Sequence, residues 1–204
     1  MLHYAAIHPE TLQLLKKLQR IDFLKDYRLV GGTSLALQIG HRISVDLDLF
    51  AHTDTEVTTI PEHIMHLGEI TIANQSRSVL NVFIDEIKVD FVAYRYPFIK
   101  PTSTTDGLRL AAPEDVAAMK LAAITGRGSR KDFVDLYFLL QDYSLPELFE
   151  FYHVKFPDGN DFLVYKSLTY FEDAELEPMP KMLIPTDWEE VKRTIIEQVK
   201  TYFP

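Results

Sequence analysis

The sequence predicts an α+β domain that ends in a helical lobe, and three observations carry that reading. Short runs of β-forming residues, separated by turn residues, fill the first half of the chain. Past about residue 110 the apolar residues recur at helical spacing instead. No internal repeat or low-complexity tract interrupts the 204 residues, so strands followed by helices indicate α+β. The expected division is a core over residues 1–110 and a helical part over residues 111–204, packed on that core as one compact unit.

Pro9 to Arg20 reads as an opening helix, with Leu12, Leu15 and Leu18 spaced for one buried face and Pro9 near its start. Tyr27 to Val30 is a short strand. Thr33 to Ile39 is a short helix behind the pair Gly31-Gly32, stopped by Gly40. Val45 to Phe50 is the next strand, and Asp54 to Leu67, with Pro61 at a helix start, supplies a further helix. Ile70 to Ala73, Ser78 to Ile84 and Lys88 to Tyr94 are strands, the last two joined by a tight turn at Asp85-Glu86. After Pro97 and Pro101 the pattern turns helical. A helix begins at Pro113-Glu114-Asp115, where acidic residues suit the helix dipole, and runs toward Thr125. Gly126 and Gly128 break it, and Lys131 to Gln141 forms another. From Phe151 aromatic and acidic residues alternate, and Pro178, Pro180 and Pro185 punctuate a poorly periodic stretch. Asp187 caps a last amphipathic helix that reaches Thr201.

A composition of 47% hydrophobic and 25% charged residues suffices to bury a core. Cysteine is absent, which excludes disulfides and thiolate metal sites. The stretch Met1 to Glu10 lacks the basic and apolar regions of a secretory signal, and no stretch approaches the length of a membrane span. A cytoplasmic protein with no membrane partner is the expectation. The formal charge of −9 argues against a general nucleic-acid coat protein, whose binding rests on Lys and Arg. Lys120, Arg127, Arg130 and Lys131 do concentrate positive charge, either as a local basic groove or as a solvated helix end.

Asp46 and Asp48 are the chain's most informative residues. Carboxylates at i and i+2 among Val45, Leu47, Leu49 and Phe50 fall on one strand face. Like charges that close repel and call for a compensating cation. Aspartate is a hard oxygen ligand suited to Mg²⁺, which takes its remaining ligands from water and substrate phosphates. Upstream, Gly31, Gly32, Thr33 and Ser34 follow an apolar strand end and lead into a helix start, a place where phosphate can approach the backbone. Asp90, between Val89 and Phe91, is a third carboxylate on a predicted strand, where Lys88, Asp90 and Val92 share a face. Three carboxylates around Mg²⁺ (or Mn²⁺) form the layout of in-line phosphoryl or nucleotidyl transfer.

Two blocks of sequence resemble the AbiEii/AbiGii toxin family of the DNA polymerase β-like nucleotidyltransferase superfamily. One is Gly31-Gly32-Thr33-Ser34-Leu35-Ala36-Leu37 followed by Gly40-His41-Arg42-x-Ser44-x-Asp46-Leu47-Asp48-Leu49-Phe50. The other is Pro113-Glu114-Asp115, Met119-Lys120-Leu121, Arg127, and Lys131-Asp132-Phe133-x-Asp135-Leu136-Tyr137. Together they span roughly residues 28 to 140. The resemblance implies a nucleotidyltransferase-like fold: a small mixed sheet flanked by helices, then a helical lobe. It also implies a Mg²⁺-dependent enzyme that moves a nucleoside monophosphate from an NTP to an acceptor. In the family the acceptor is RNA, notably tRNA, and a cognate antitoxin neutralises the protein.

Carried over by position, Gly31, Gly32 and Thr33 match the phosphate-cradling turn, with Ser34 beside them, and Asp46 and Asp48 match the metal-binding pair. Lys120 matches the family's helical lysine, Asp132 its helical aspartate, and Asp90 the superfamily's third carboxylate. Ser44 stands where many relatives carry Thr, which keeps the hydroxyl. The chain is shorter than the long toxins of the family, and its tail beyond Phe151 is less diagnostic, which bears on the acceptor more than on the nucleotide.

Each residue also has a plainer reading. Arg42 either touches phosphate or pairs with Asp46 or Asp48, and Lys120 either meets the triphosphate or snorkels to solvent. Asp132 has an alternative as an ordinary helix N-terminal carboxylate, and Asp135 is read as structural, paired with Lys131 or Arg130. His41 is not expected to bind metal, and Phe133, Tyr137 and Phe138 are expected in the core. Transfer to a small molecule or a protein side chain, and a non-catalytic nucleotide-binding module, are the competing functions.

Overall fold

The computed structural model describes residues 1–54 and 56–203, so Thr55, within the predicted Asp54–Leu67 segment, lies outside the described residues. The strands are β1 (Arg28–Leu29), β2 (Leu47–Ala51), β3 (Ile70–Gln75), β4 (Val79–Ile84), β5 (Ile87–Ala93), β6 (Ser103–Thr105) and β7 (Leu108–Leu110). Among the described residues they form one mixed sheet of order β3-β4-β5-β2-β1-β7-β6. β2 runs parallel to β5 and β1 parallel to β7, while the other neighbours are antiparallel. The chain divides into two compact units, Met1–Ala112 and Pro113–Pro204.

The first unit follows from period-two burial. Leu47, Leu49 and Ala51 of β2, Val89 and Phe91 of β5, and Leu80, Val82 and Ile84 of β4 enter one core. They meet Leu14, Leu15 and Leu18 of α1 (Pro9–Leu18) there. The alternate residues, Asp48, Phe50, Lys88 and Asp90, stay half-buried on the other face. α2 spans Gly31–Ile39, so the glycine pair forms the first turn of this helix instead of preceding it, and Gly40 ends it in the left-handed conformation. Behind Asp54 the expected helix is a 3₁₀ turn, Val57–Thr59, and a short α3, Ile60–Ile64.

Strands β6 and β7 occupy the segment that was expected to turn helical after Pro101. At three residues each they are too short to show alternation. Their hairpin turn was nonetheless written in the sequence as Asp106-Gly107, both at positive φ. Arg109 locks β7 in place, donating to the carbonyls of Gln19, Leu24 and Tyr27, while its backbone N–H donates to Gln19 Oε1 at 2.7 Å.

The second unit is helical: α4 (Pro113–Gly126), α5 (Arg130–Asp142), α6 (Leu145–Lys155), α7 (Asp161–Leu168), α8 (Glu172–Glu175) and α9 (Trp188–Tyr202). The end of α6 and all of α7 fall in the stretch from Phe151 that looks irregular in the sequence, and both helices begin at side-chain caps. Ser144 and Glu147 form a capping box, and Asn160 accepts from the Leu163 N–H at 3.0 Å. Asp187 sits at the N-cap position of α9 as expected, without a side-chain bond to its first turn. Phe133, Phe171 and Trp188 cluster with ring centroids 4.8 to 6.1 Å apart. No helix among the described residues is long and apolar enough to cross a membrane.

Candidate active site

The aspartates gather where β2 and β5 run side by side. The parallel register pairs Asp48 with Asp90 across the two strands. Because side chains alternate, both carboxylates leave the core face together. Asp46 lies just before β2, which begins at Leu47, and its backbone is held by Thr33, whose Oγ1 donates to the Asp46 carbonyl and lies 2.8 Å from Ser44 Oγ. The Asp48 carbonyl in turn accepts from the Val30 N–H at 2.8 Å, fixing the strand against the entrance to α2.

The glycine pair packs closely against two charged side chains. Gly31 has φ +66°, and a Cβ there would stand 2.2 Å from Asp48 Oδ2. A Cβ on Gly32 would stand 2.1 Å from Arg42 Nη2. Arg42 is 3% exposed, its guanidinium pressed against this turn and donating to the Ile43 carbonyl at 3.2 Å. Ser34 is fully buried, and its hydroxyl accepts from Gln38 Nε2 at 3.1 Å. Of the residues matched to the phosphate cradle, Thr33 and Ser34 thus turn their hydroxyls inward. The backbone of Gly31 lies against Asp48, and that of Gly32 against the Arg42 guanidinium.

Lys88 was not singled out as a site residue, and the structure brings it to the cluster. Its Nζ donates to Asp90 Oδ2 at 2.7 Å. Burial alone would lower the Lys88 ammonium. The hydrogen bond to Asp90 and the charges of Asp90, Asp46 and Asp48 outweigh it and hold the group above the ordinary lysine value. The signal in the sequence was the i, i+2 placement of Lys88 and Asp90 on one strand face. Asp90 Oδ1, the other oxygen, is buried without a hydrogen-bond partner, a costly arrangement that needs an explanation.

Lys120 and Asp132 belong to a different kind of cluster, within the helical unit. Lys120 Nζ contacts Asp132 Oδ1 at 2.7 Å and Asp135 Oδ2 at 2.6 Å, with both carboxylates fully buried. Ser129 Oγ donates to Asp132 Oδ2 at 2.6 Å, and Arg127 Nε reaches the same oxygen at 3.2 Å. Burial alone would raise the Asp132 carboxyl. The Lys120 charge and hydrogen bond, the Ser129 hydroxyl and Arg127 reverse that and hold it below the ordinary carboxylate value. Lys120 therefore does not snorkel, and Asp135 pairs with it. Arg130 stacks on Trp188 and donates to the Ala174 carbonyl, so it, Lys120 and Arg127 are engaged by other residues of the chain.

Does the aspartate cluster suit a metal? Among the described residues, no three His, Cys, Asp or Glu side chains form a ready-made metal cage. Mg²⁺ rarely uses one, binding through one or two carboxylates with water and substrate phosphate completing its shell. The paired strand aspartates, the all-oxygen donor set and the orphaned Asp90 Oδ1 fit that mode. A cleft of about 590 Å³ in the helical unit, lined by Phe171, Glu175, Lys192 and Arg193 among others, contains none of the predicted site residues.

Comparison with known proteins adds three findings. The family model described as nucleotidyl transferase AbiEii toxin, type IV toxin–antitoxin system, matches residues 13–203. An uncharacterised protein of Aquifex aeolicus is 36% identical over 199 residues, covering 95% of this chain and 96% of its own length. Among solved structures, the MenT4 nucleotidyltransferase toxin of Mycobacterium tuberculosis matches with a TM-score of 0.63 at 19% identity, covering 94% of this chain and 82% of that one. JHP933 of Helicobacter pylori matches at 0.55 and 20%, covering 96% and 92%. At those identities the solved structures speak for the fold.

Proposed function

The chain belongs to the nucleotidyl transferase AbiEii toxin family of type IV toxin–antitoxin systems, and from that premise we propose that it transfers a nucleoside monophosphate from an NTP to a hydroxyl of RNA, with tRNA the expected acceptor. The acceptor oxygen attacks the α-phosphorus, the new P–O bond forms, the bond to the β-phosphate oxygen breaks, and pyrophosphate leaves with its electron pair. Asp46, Asp48 and Asp90 are the metal-holding carboxylates in this reading. A bound Mg²⁺ would supply charge neutralisation to the triphosphate and the leaving group. The observation that carries the proposal is the Asp48–Asp90 register beside the Gly31-Gly32 turn.

The chain's own groups have distinct tasks. Backbone N–H groups at the start of α2 and the Arg42 guanidinium offer the triphosphate donors and positive charge. Thr33 fixes Asp46 through its carbonyl and acts as a positioning residue, as does Ser34 through Gln38. Asp90 is the group assigned to take the proton released by the attacking hydroxyl. Lys120 and Asp132 enter as a coupled pair. The ammonium that the resemblance assigns to the triphosphate is engaged by two carboxylates of its own helical unit, which set its position. A cognate antitoxin and a cytoplasmic site of action complete the proposal.

The test is incubation of the purified chain with each α-labelled NTP, Mg²⁺ and total RNA, with Asp48→Asn as control. Label entering RNA in the wild type and lost in the variant is the expected result. No labelled acceptor with any NTP overturns it, and label on small hydroxylated compounds but not RNA replaces the acceptor class.

A further inference from the structure

Around β2 and β5 three carboxylates and one ammonium share a small region, and the ammonium is the odd member. Lys88 Nζ sits 2.7 Å from Asp90 Oδ2, with the lysine side chain 41% exposed and the aspartate 16%. Asp90 is opposite Asp48 in the parallel register, and Asp46 and Asp48 both act on Lys88 electrostatically. The same aspartate keeps its second oxygen buried and without a partner. A carboxylate so arranged has one oxygen held by a half-exposed cation and the other without a partner.

We propose that Lys88 is the resident counter-cation of the aspartate cluster: it holds Asp90 in the metal-free chain and is displaced from that carboxylate when a divalent cation binds. Lys88 is therefore a positioning residue that sets the affinity of the site by competition. The proposal rests on the metal-dependent reading above. Electrostatics supports it, since the Lys88 ammonium and a divalent cation would compete for the same carboxylates. Geometry supports it too. A lysine on a flexible, half-exposed stem can swing into water without stranding its charge, whereas Lys120, 7% exposed between two buried carboxylates, cannot.

Mn²⁺ titration followed by electron paramagnetic resonance, on full-length chains without nucleotide, tests the proposal. Lys88→Gln should bind Mn²⁺ about tenfold tighter than the wild type, as expected for removing one unit charge a few ångströms away. Lys88→Arg, which keeps the charge, should retain wild-type affinity. Without metal the Gln variant should melt at a lower temperature than the wild type, and Mn²⁺ should raise its melting temperature by more. Absence of tightening overturns the proposal, whether both chains bind equally or neither binds. Should the Gln variant fail to fold, the Nζ resonance of Lys88 in the wild type decides. It should move on saturation with Mg²⁺, and an unmoved resonance overturns the proposal. Because these readouts need neither NTP nor acceptor, nucleotidyl transfer can persist while the Lys88 role fails, and the two failures are distinguishable.

Discussion

Around β2 and β5 the aspartates Asp46, Asp48 and Asp90 lie with Lys88 on a half-buried sheet face, whereas in α4 and α5 Asp132 and Asp135 close around Lys120 in the interior. The residue types are the same, but their surroundings differ. In the helical cluster the carboxylates are fully buried and Asp132 is engaged from three sides, by Lys120, Ser129 and Arg127. In the sheet cluster Asp90 keeps a buried oxygen with no partner, and its cation is open to water. A saturated, buried ion network has little left to offer a ligand, and removing one member strands the others. A half-exposed one with an unpaired carboxylate oxygen still has capacity for a further cation. The same residue types thus form a closed, buried network in one region and a half-exposed cluster with an unpaired oxygen in the other, so burial and satisfaction, more than residue type, distinguish the two.

The contrast is broken most directly by exchanging the expected phenotypes. Lys120→Met removes the cation that bridges two buried carboxylates and should cost about 3–5 kcal/mol in urea unfolding. Asp48→Asn should instead change stability by no more than about 1 kcal/mol while lowering transfer on the order of a thousandfold, the scale of several kcal/mol of metal-assisted stabilisation. A Lys120→Met chain as stable as the wild type would remove the distinction.

A smaller effect sharpens the sheet side. Gly31→Ala places a Cβ against Asp48 Oδ2 at a left-handed backbone position. A stability loss of about 1–3 kcal/mol is expected from the strain, together with reduced transfer as Asp48 is pushed aside. Unchanged unfolding would mean that the turn relaxes without disturbing the aspartate.

The smallest effect separates the clusters by pH. The Asp132 carboxyl is held below its unfolded value. Its contribution is therefore fully present above about pH 4, the ordinary Asp range, and lost as pH falls through the lower folded value. The unfolding free energy should decline in acid in the wild type, and the decline should be shallower in Asp132→Asn. Equal slopes would show that the helical network is not the acid-sensitive element.

Legibility varied with the length and pattern of each segment. Strands β4 and β5 and helices α4, α5 and α9 were readable because each carries several periods of burial. β6 and β7 were missed because three residues show no period, although the Asp106-Gly107 turn signalled them. α6 and α7 were missed because their aromatic and acidic residues blur the apolar stripe. The Ser144-x-x-Glu147 cap was nonetheless there to be read. In the site, the glycines, Asp46, Asp48 and Asp90 could be named from spacing and from the family's motif order. The partners of Lys120 could not be sorted, since Asp132, Asp135, Arg127 and Arg130 all lie within reach of it along the chain.

Family, α+β class and candidate carboxylates are legible along the chain alone, because short motifs and periodicity are local properties. Tertiary structure decided what each charge touches. The parallel pairing of β2 with β5 sets Asp48 beside Asp90 although 42 positions separate them in the sequence. The packing of α4 on α5 sends Lys120 to Asp135, and one strand face aims Lys88 at Asp90. These are decisions of distance and desolvation, and both are set only when remote segments meet.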